Sequence, residues 1–157
     1  MTGTDEVRDA GGGGEIRRAA WYGTAAFAVT AVTATVVDAL QPLALVVDVV
    51  LFLAGCVAFV AAYLRAVNRS RTDSIAVTSL FFLAGSAPPA VRRSLLGALA
   101  AQVVLALATA IARPYTILAA GTLVPLYGLG LCGLWAARHG SFPRRPSEGG
   151  PGRGDHH

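Results

Sequence analysis

Four stretches of this chain are almost free of charge: 19–37, 43–64 interrupted only by Asp48, 94–112 and 115–137. They hold 19, 22, 19 and 23 residues, against the roughly 20 that an α-helix rising ~1.5 Å per residue needs to cover ~30 Å of hydrocarbon. A helix satisfies its own backbone hydrogen bonds, so runs of this kind fold as membrane-crossing helices. The expected fold class is all-α: a four-transmembrane-helix bundle with a short non-spanning helix between helices 2 and 3. Composition agrees. Of 157 residues 54% are hydrophobic and 14% charged, and the mean hydropathy is +0.57. A 16.1 kDa chain has room for one small bundle, so a membrane anchor carrying a folded catalytic domain is not expected.

The cationic residues orient the bundle. All 13 are Arg. With four spans and a cytoplasmic N-terminus, 12 lie inside and only Arg113 lies outside. A fifth apolar stretch, 74–91, is charge-free but carries Pro88-Pro89. If it crossed the membrane the count would fall to seven inside against six outside, so it is expected not to span. The spans are then 19–38, 43–65, 94–112 and 115–137 within a membrane domain of 19–140, with both termini cytoplasmic. The first apolar stretch exceeds the 7 to 15 residues of a signal-peptide core, so it is expected to be retained as helix 1. Trp21, Tyr22, Tyr63 and Trp135 fall near the inner ends and Tyr115 near an outer end, where aromatic rings anchor at the interface.

Residues 1–18, with four consecutive glycines, and 141–157, rich in Pro, Gly and Arg, are expected to be disordered cytoplasmic tails. Between helices 2 and 3, Asp73 is a plausible N-cap for a non-spanning helix over about 74–85, ended by Gly85 and the two prolines. It shows no polar face, so it is expected to tuck against the inner end of the bundle or dip part-way into the membrane. The Arg residues at the inner ends would attract anionic headgroups, although topology alone accounts for them.

Polar groups inside the spans form the candidate site. Asp48 is the one acid well inside an apolar window, ~8 Å from the outer start of its helix at ~1.5 Å per residue. Such groups either pair structurally or handle protons and ions, and both readings stand for Asp48. On helix 3, Gln102, Thr109 and Arg113 share a stripe with Ala98 and Ala106, and on helix 1 Thr24, Ala28, Ala31, Thr35 and Asp38 form a similar one. Small and polar stripes let helices approach closely and exchange hydrogen bonds, so both are expected to face protein. Asp38, Asp48 and Arg113 are expected to converge beneath the outer face, giving a candidate polar membrane cluster of Asp38, Asp48, Gln102, Thr109 and Arg113. On helix 4, Gly121, Pro125, Gly128 and Cys132 are expected to form a packing face, Pro125 kinking the helix by removing the bond to Gly121. Cys56 and Cys132 read as apolar fillers rather than a disulfide.

No phosphate-binding loop, nucleophile elbow, zincin helix or metal-ligand cluster appears, so no enzyme activity, cofactor or metal is expected. The four Arg-flanked spans, the helix 3 ending Ala110-Ile111-Ala112-Arg113-Pro114-Tyr115 and the run from Gly121 to Trp135 resemble small uncharacterised integral membrane proteins of actinobacteria, over residues 15 to 145. The resemblance implies the inner membrane of a high-GC bacterium and no particular activity. Two functions follow from the residues: an accessory or structural subunit of an inner-membrane assembly, or a small oligomeric transporter or lipid flippase using Asp48 and Arg113. The expected partners are the lipid bilayer and either further copies of the chain or a larger membrane complex, with no nucleic acid.

Overall fold

The computed structural model describes residues 3–69, 80–114 and 116–141. Helix α1 runs Gly3–Val36 and a 3₁₀ turn over Asp38–Leu40 leads into α2, Gln41–Arg69. Helix α3 is Pro89–Ala112; a 3₁₀ segment, Ile117–Leu123, then precedes α4, Pro125–His139. Four helices are long and apolar enough to cross a membrane, over Gly13–Val36, Asp38–Asn68, Pro89–Ala112 and Leu118–His139, and no strand occurs among the described residues. The fold is all-α, and its four spanning helices match a multi-pass membrane protein.

The start of α1, the start of α3 and the end of α4 share one end of the bundle. Trp21 Nε1 donates to Ser94 Oγ at 3.1 Å, and Gly13 packs on the ring of Trp135. The end of α2 joins them, since Ala62 and Phe81 both border Gly133. Arg17, Arg18, Arg65, Arg92, Arg93 and Arg138 therefore gather at this end. Arg113 sits at the other, beside Asp38 and Thr35. Helix α2 ends and α3 begins on the same side of the bundle.

Several expectations are corrected. Helix α1 begins at Gly3 rather than at Ala19, so residues 3–18 are helical and not a disordered tail. Ile16 is buried in the main core cluster and Gly13 lies against Trp135, so tertiary packing overrides the low helix propensity of the glycines. Trp135 is 5% exposed and belongs to that same core, so it is no lipid-facing anchor, whereas Trp21, Tyr22 and Tyr63 are exposed. Of the non-spanning helix, the described part is helical only at Leu80 and Phe81; Asp73, residues 74–79, Tyr115 and the tail beyond Ser141 lie outside the described residues. That helix stops short of Gly85 because Leu83 takes a left-handed φ of 55°, followed by Gly85 at 73°. The strain at Leu83 is held by complete burial of its side chain. Phe81 stacks on Phe59 with ring centroids 4.7 Å apart, which fixes the segment against the bundle end.

Pro125 does not kink a continuous helix. It is the first residue of α4, where its missing N–H costs nothing. Upstream the chain takes the tighter 3₁₀ pitch, with Val124 N–H donating to the Gly121 carbonyl at 3.1 Å. The most extensive helix contact joins α2 to α4. At its centre a Cβ on Gly55 would stand 2.6 Å from the backbone nitrogen of Tyr127, and one on Gly130 would stand 2.6 Å from the Gly55 carbonyl oxygen. The two backbones touch directly there, which only glycine at both positions allows.

Candidate functional site: the polar interior of the bundle

The stripe on α3 faces inward. Ala98, Gln102, Ala106 and Thr109 are buried, and Arg113 at the helix end is half-buried. On α1, Thr24 and Ala31 are buried, Ala28 and Thr35 half-buried, and Asp38 exposed. Both stripes let small side chains bring backbones together and leave a few polar groups to find partners away from water.

Gln102 finds two. Its Nε2 donates to Oγ1 of Thr24 on α1 at 2.8 Å, and its Oε1 accepts the Gly128 backbone N–H of α4 at 3.1 Å. The Thr24 hydroxyl donates in turn to the Ala20 carbonyl at 2.8 Å. One carboxamide thus ties three helices together at a point where a Cβ on Gly128 would stand 2.6 Å from its Oε1. Tyr127, one residue away, donates its hydroxyl to the Ala19 carbonyl at 2.8 Å, and Gly23 makes room for its ring. Thr109 makes no inter-helix bond; its hydroxyl donates back to Leu105 and Ala106 carbonyls of its own helix.

The expected convergence of two acids on Arg113 is only half present. Arg113 pairs with Asp38 at 3.0 Å, and its Nη2 donates to the Thr35 carbonyl at 2.7 Å. Asp38 also accepts from Gln41 Nε2 at 2.9 Å. This cluster caps the C-terminal end of α1, where the last carbonyls lack helical partners. The Arg side chain is 36% exposed and the Asp side chain 72%, so water reaches the pair.

Asp48 stands apart from it. The residue is 4% exposed, its Oδ1 has no hydrogen-bond partner, and its Oδ2 lies near Gly121 and the ring of Phe27. A Cβ on Gly121 would come 3.1 Å from Phe27 and 3.5 Å from the Asp48 carboxylate.

The four helix-packing residues face different neighbours. Gly121 lies over Phe27 and Asp48, Gly128 over Gln102 and Leu99, and Pro125 begins α4. Cys132 is fully buried in the main core, and both Cys132 and the half-buried Cys56 are free thiols. Sequence reading passed over Gly55, Tyr127 and the Trp21–Ser94 bond. Gly55 alone carried a signal, being the single glycine of α2.

Comparison with known protein families, curated proteins and solved structures gives no significant match to this chain.

Proposed function

We propose that this chain is an accessory or structural subunit of an assembly in a bacterial inner membrane, with both termini in the cytoplasm. The observation that carries the reading is the Gln102 bridge. A single buried carboxamide joins Thr24 of α1 to Gly128 of α4, next to direct backbone packing of Gly55 on α4. This is a locked bundle centre, suited to holding a shape against which another membrane protein packs. The outer faces of α1, α2 and α3 present Val and Leu, among them Val32, Val46, Val57, Val104 and Leu107, to lipid or to such a partner. Purification of the full chain from its own membrane in mild detergent tests the reading. A stoichiometric partner is the expected result. A self-oligomer that supports acid-sensitive flux in proteoliposomes overturns it.

A second reading, a small oligomeric transporter, rests on Asp48, whose buried Oδ1 lacks a partner. Buried intramembrane acids mark proton and ion pathways in many transporters. Arg113, held by Asp38, takes no part with it.

A further inference from the structure

We propose that the cleft between the start of α1, the start of α3 and the end of α4 binds the phosphate of an anionic phospholipid headgroup. It is a cavity of about 500 Å³ lined among others by Gly13, Gly14, Arg17, Pro88, Trp135 and His139. Two of these residues have ring nitrogens without partners: Trp135 Nε1, seated against Gly13, and His139 Nδ1 are both buried and unbonded. Trp135 itself is 95% buried by its 5% exposure. A buried indole N–H is donor only, and leaving it unmade in an interior is unfavourable. A ligand that accepts hydrogen bonds resolves that.

Charge selects the kind of acceptor. Arg17 lines this cleft and also a neighbouring one of about 340 Å³ formed with Arg18, Trp21, Tyr22 and Ser94. Arg92 and Arg93 line a third on the other flank of α3. None of these four guanidiniums has a carboxylate partner among the described residues, and Glu15, the neighbouring acid on α1, lines none of the three clefts. A group with several acceptor oxygens and a negative charge fits a guanidinium fork beside an indole N–H, as phosphate does. The exposed Trp21 and Tyr22 set the level at which headgroups lie, and apolar Leu96, Val91 and the outer face of α1 offer acyl chains a surface below. Gly13 lets α1 approach the indole, since a Cβ there would stand 2.8 Å from Trp135 Nε1. The proposal rests on the four-span membrane reading and is independent of whether the chain is a subunit or a transporter.

Gly14 supplies the test. It lines the cleft, and a Cβ built on it meets nothing within 4 Å, so Gly14→Leu adds an apolar side chain at the cleft wall with room at its Cβ and removes a helical glycine. The full chain, purified in uncharged detergent, is titrated with phosphatidylglycerol, phosphatidylcholine and inorganic phosphate, reading bound lipid by native mass spectrometry and the melting midpoint by tryptophan emission. Phosphatidylglycerol is expected to remain bound and to raise the midpoint, with phosphatidylcholine far weaker. Gly14→Leu is expected to melt normally without lipid and to lose that binding, and Arg17→Gln to weaken it about fivefold, the effect of one surface cation on an anionic lipid. Equal retention of the two lipids, or native binding by both variants, overturns the proposal. Inorganic phosphate saturating the site without preference for the lipid also overturns it, by assigning the cleft to a soluble phosphate.

Discussion

Gln102 and Thr24, 78 positions apart in the chain, meet through a 2.8 Å hydrogen bond between fully enclosed side chains, and the other end of the same carboxamide takes the Gly128 N–H. Replacing Gln102 by Leu keeps the volume and strands the Gly128 donor. The expected cost is about 1–3 kcal/mol, read as a lower melting midpoint in detergent. A double-mutant cycle with Thr24→Ala should show coupling of about 0.5–2 kcal/mol. Strict additivity would falsify the bridge.

At the end of α1, Arg113 and Asp38 form a pair that water reaches, so their coupling is expected to stay below about 1 kcal/mol and to shrink in high salt. Arg113→Ala should cost somewhat more than Asp38→Ala, because it also leaves the Thr35 carbonyl at the end of α1 without its donor. Arg113→Ala combined with Asp48→Asn should be additive, since nothing joins those two side chains. Coupling above about 1 kcal/mol between Arg113 and Asp48 would return the acid to the outer cluster.

The two glycines on opposite sides of the packing argument predict opposite signs. Gly55→Ala drives a methyl into the Tyr127 backbone and should destabilise by about 1–3 kcal/mol. Gly97→Ala meets open space on α3 and should stabilise by up to ~1 kcal/mol through helix propensity. Circular dichroism melts of the two variants decide it; equal shifts would remove the claim that α2 and α4 touch backbone to backbone.

Asp48→Asn keeps the shape of the side chain and removes its charge, so the bundle should remain folded and melt at least as high as the native chain. Proteoliposome flux then separates the two functional readings: an ion or proton current lost in Asp48→Asn marks a transporter, and an unchanged baseline marks a structural acid.

Orientation is tested by reporters fused after Ala90 and after His157. Both should report the cytoplasm, following the Arg residues that cluster at one end of the bundle. An external signal from either reverses the assignment.

Period and charge made most of this architecture readable in advance. Charge-free length gave the four spans, and a 100° step per residue put Gln102, Thr109 and Thr24 on inward faces. The start of α1 was hidden because four glycines look like a linker, and only the buried surface of Trp135 and the cluster around Ile16 explain a helix there. Trp135 misled for the same reason: near a helix end an indole is as well suited to an interface as to a core, and its pocket comes from Gly13, more than a hundred residues away. Pro125 signalled a break in the helix, but a proline reads alike as a kink or as a helix start. The 3₁₀ path from Ile117 decides between them. The choice of Asp38 over Asp48 as partner of Arg113 depends on how α1 and α2 lie at the outer turn, a three-dimensional relation with no local trace.

The position of α4 at the middle of the bundle bears on biogenesis. Half of its spanning window is buried, against about a third or less for each of the other three. Of the four spans it is the last to be translated. Until it arrives, α1, α2 and α3 wait in the bilayer with the Gln102 carboxamide half-served and the notch at Gly55 filled by lipid. A three-span stage would therefore have a polar gap where its keystone belongs. Quality-control proteases that recognise exposed amides in membranes would meet this protein at that stage.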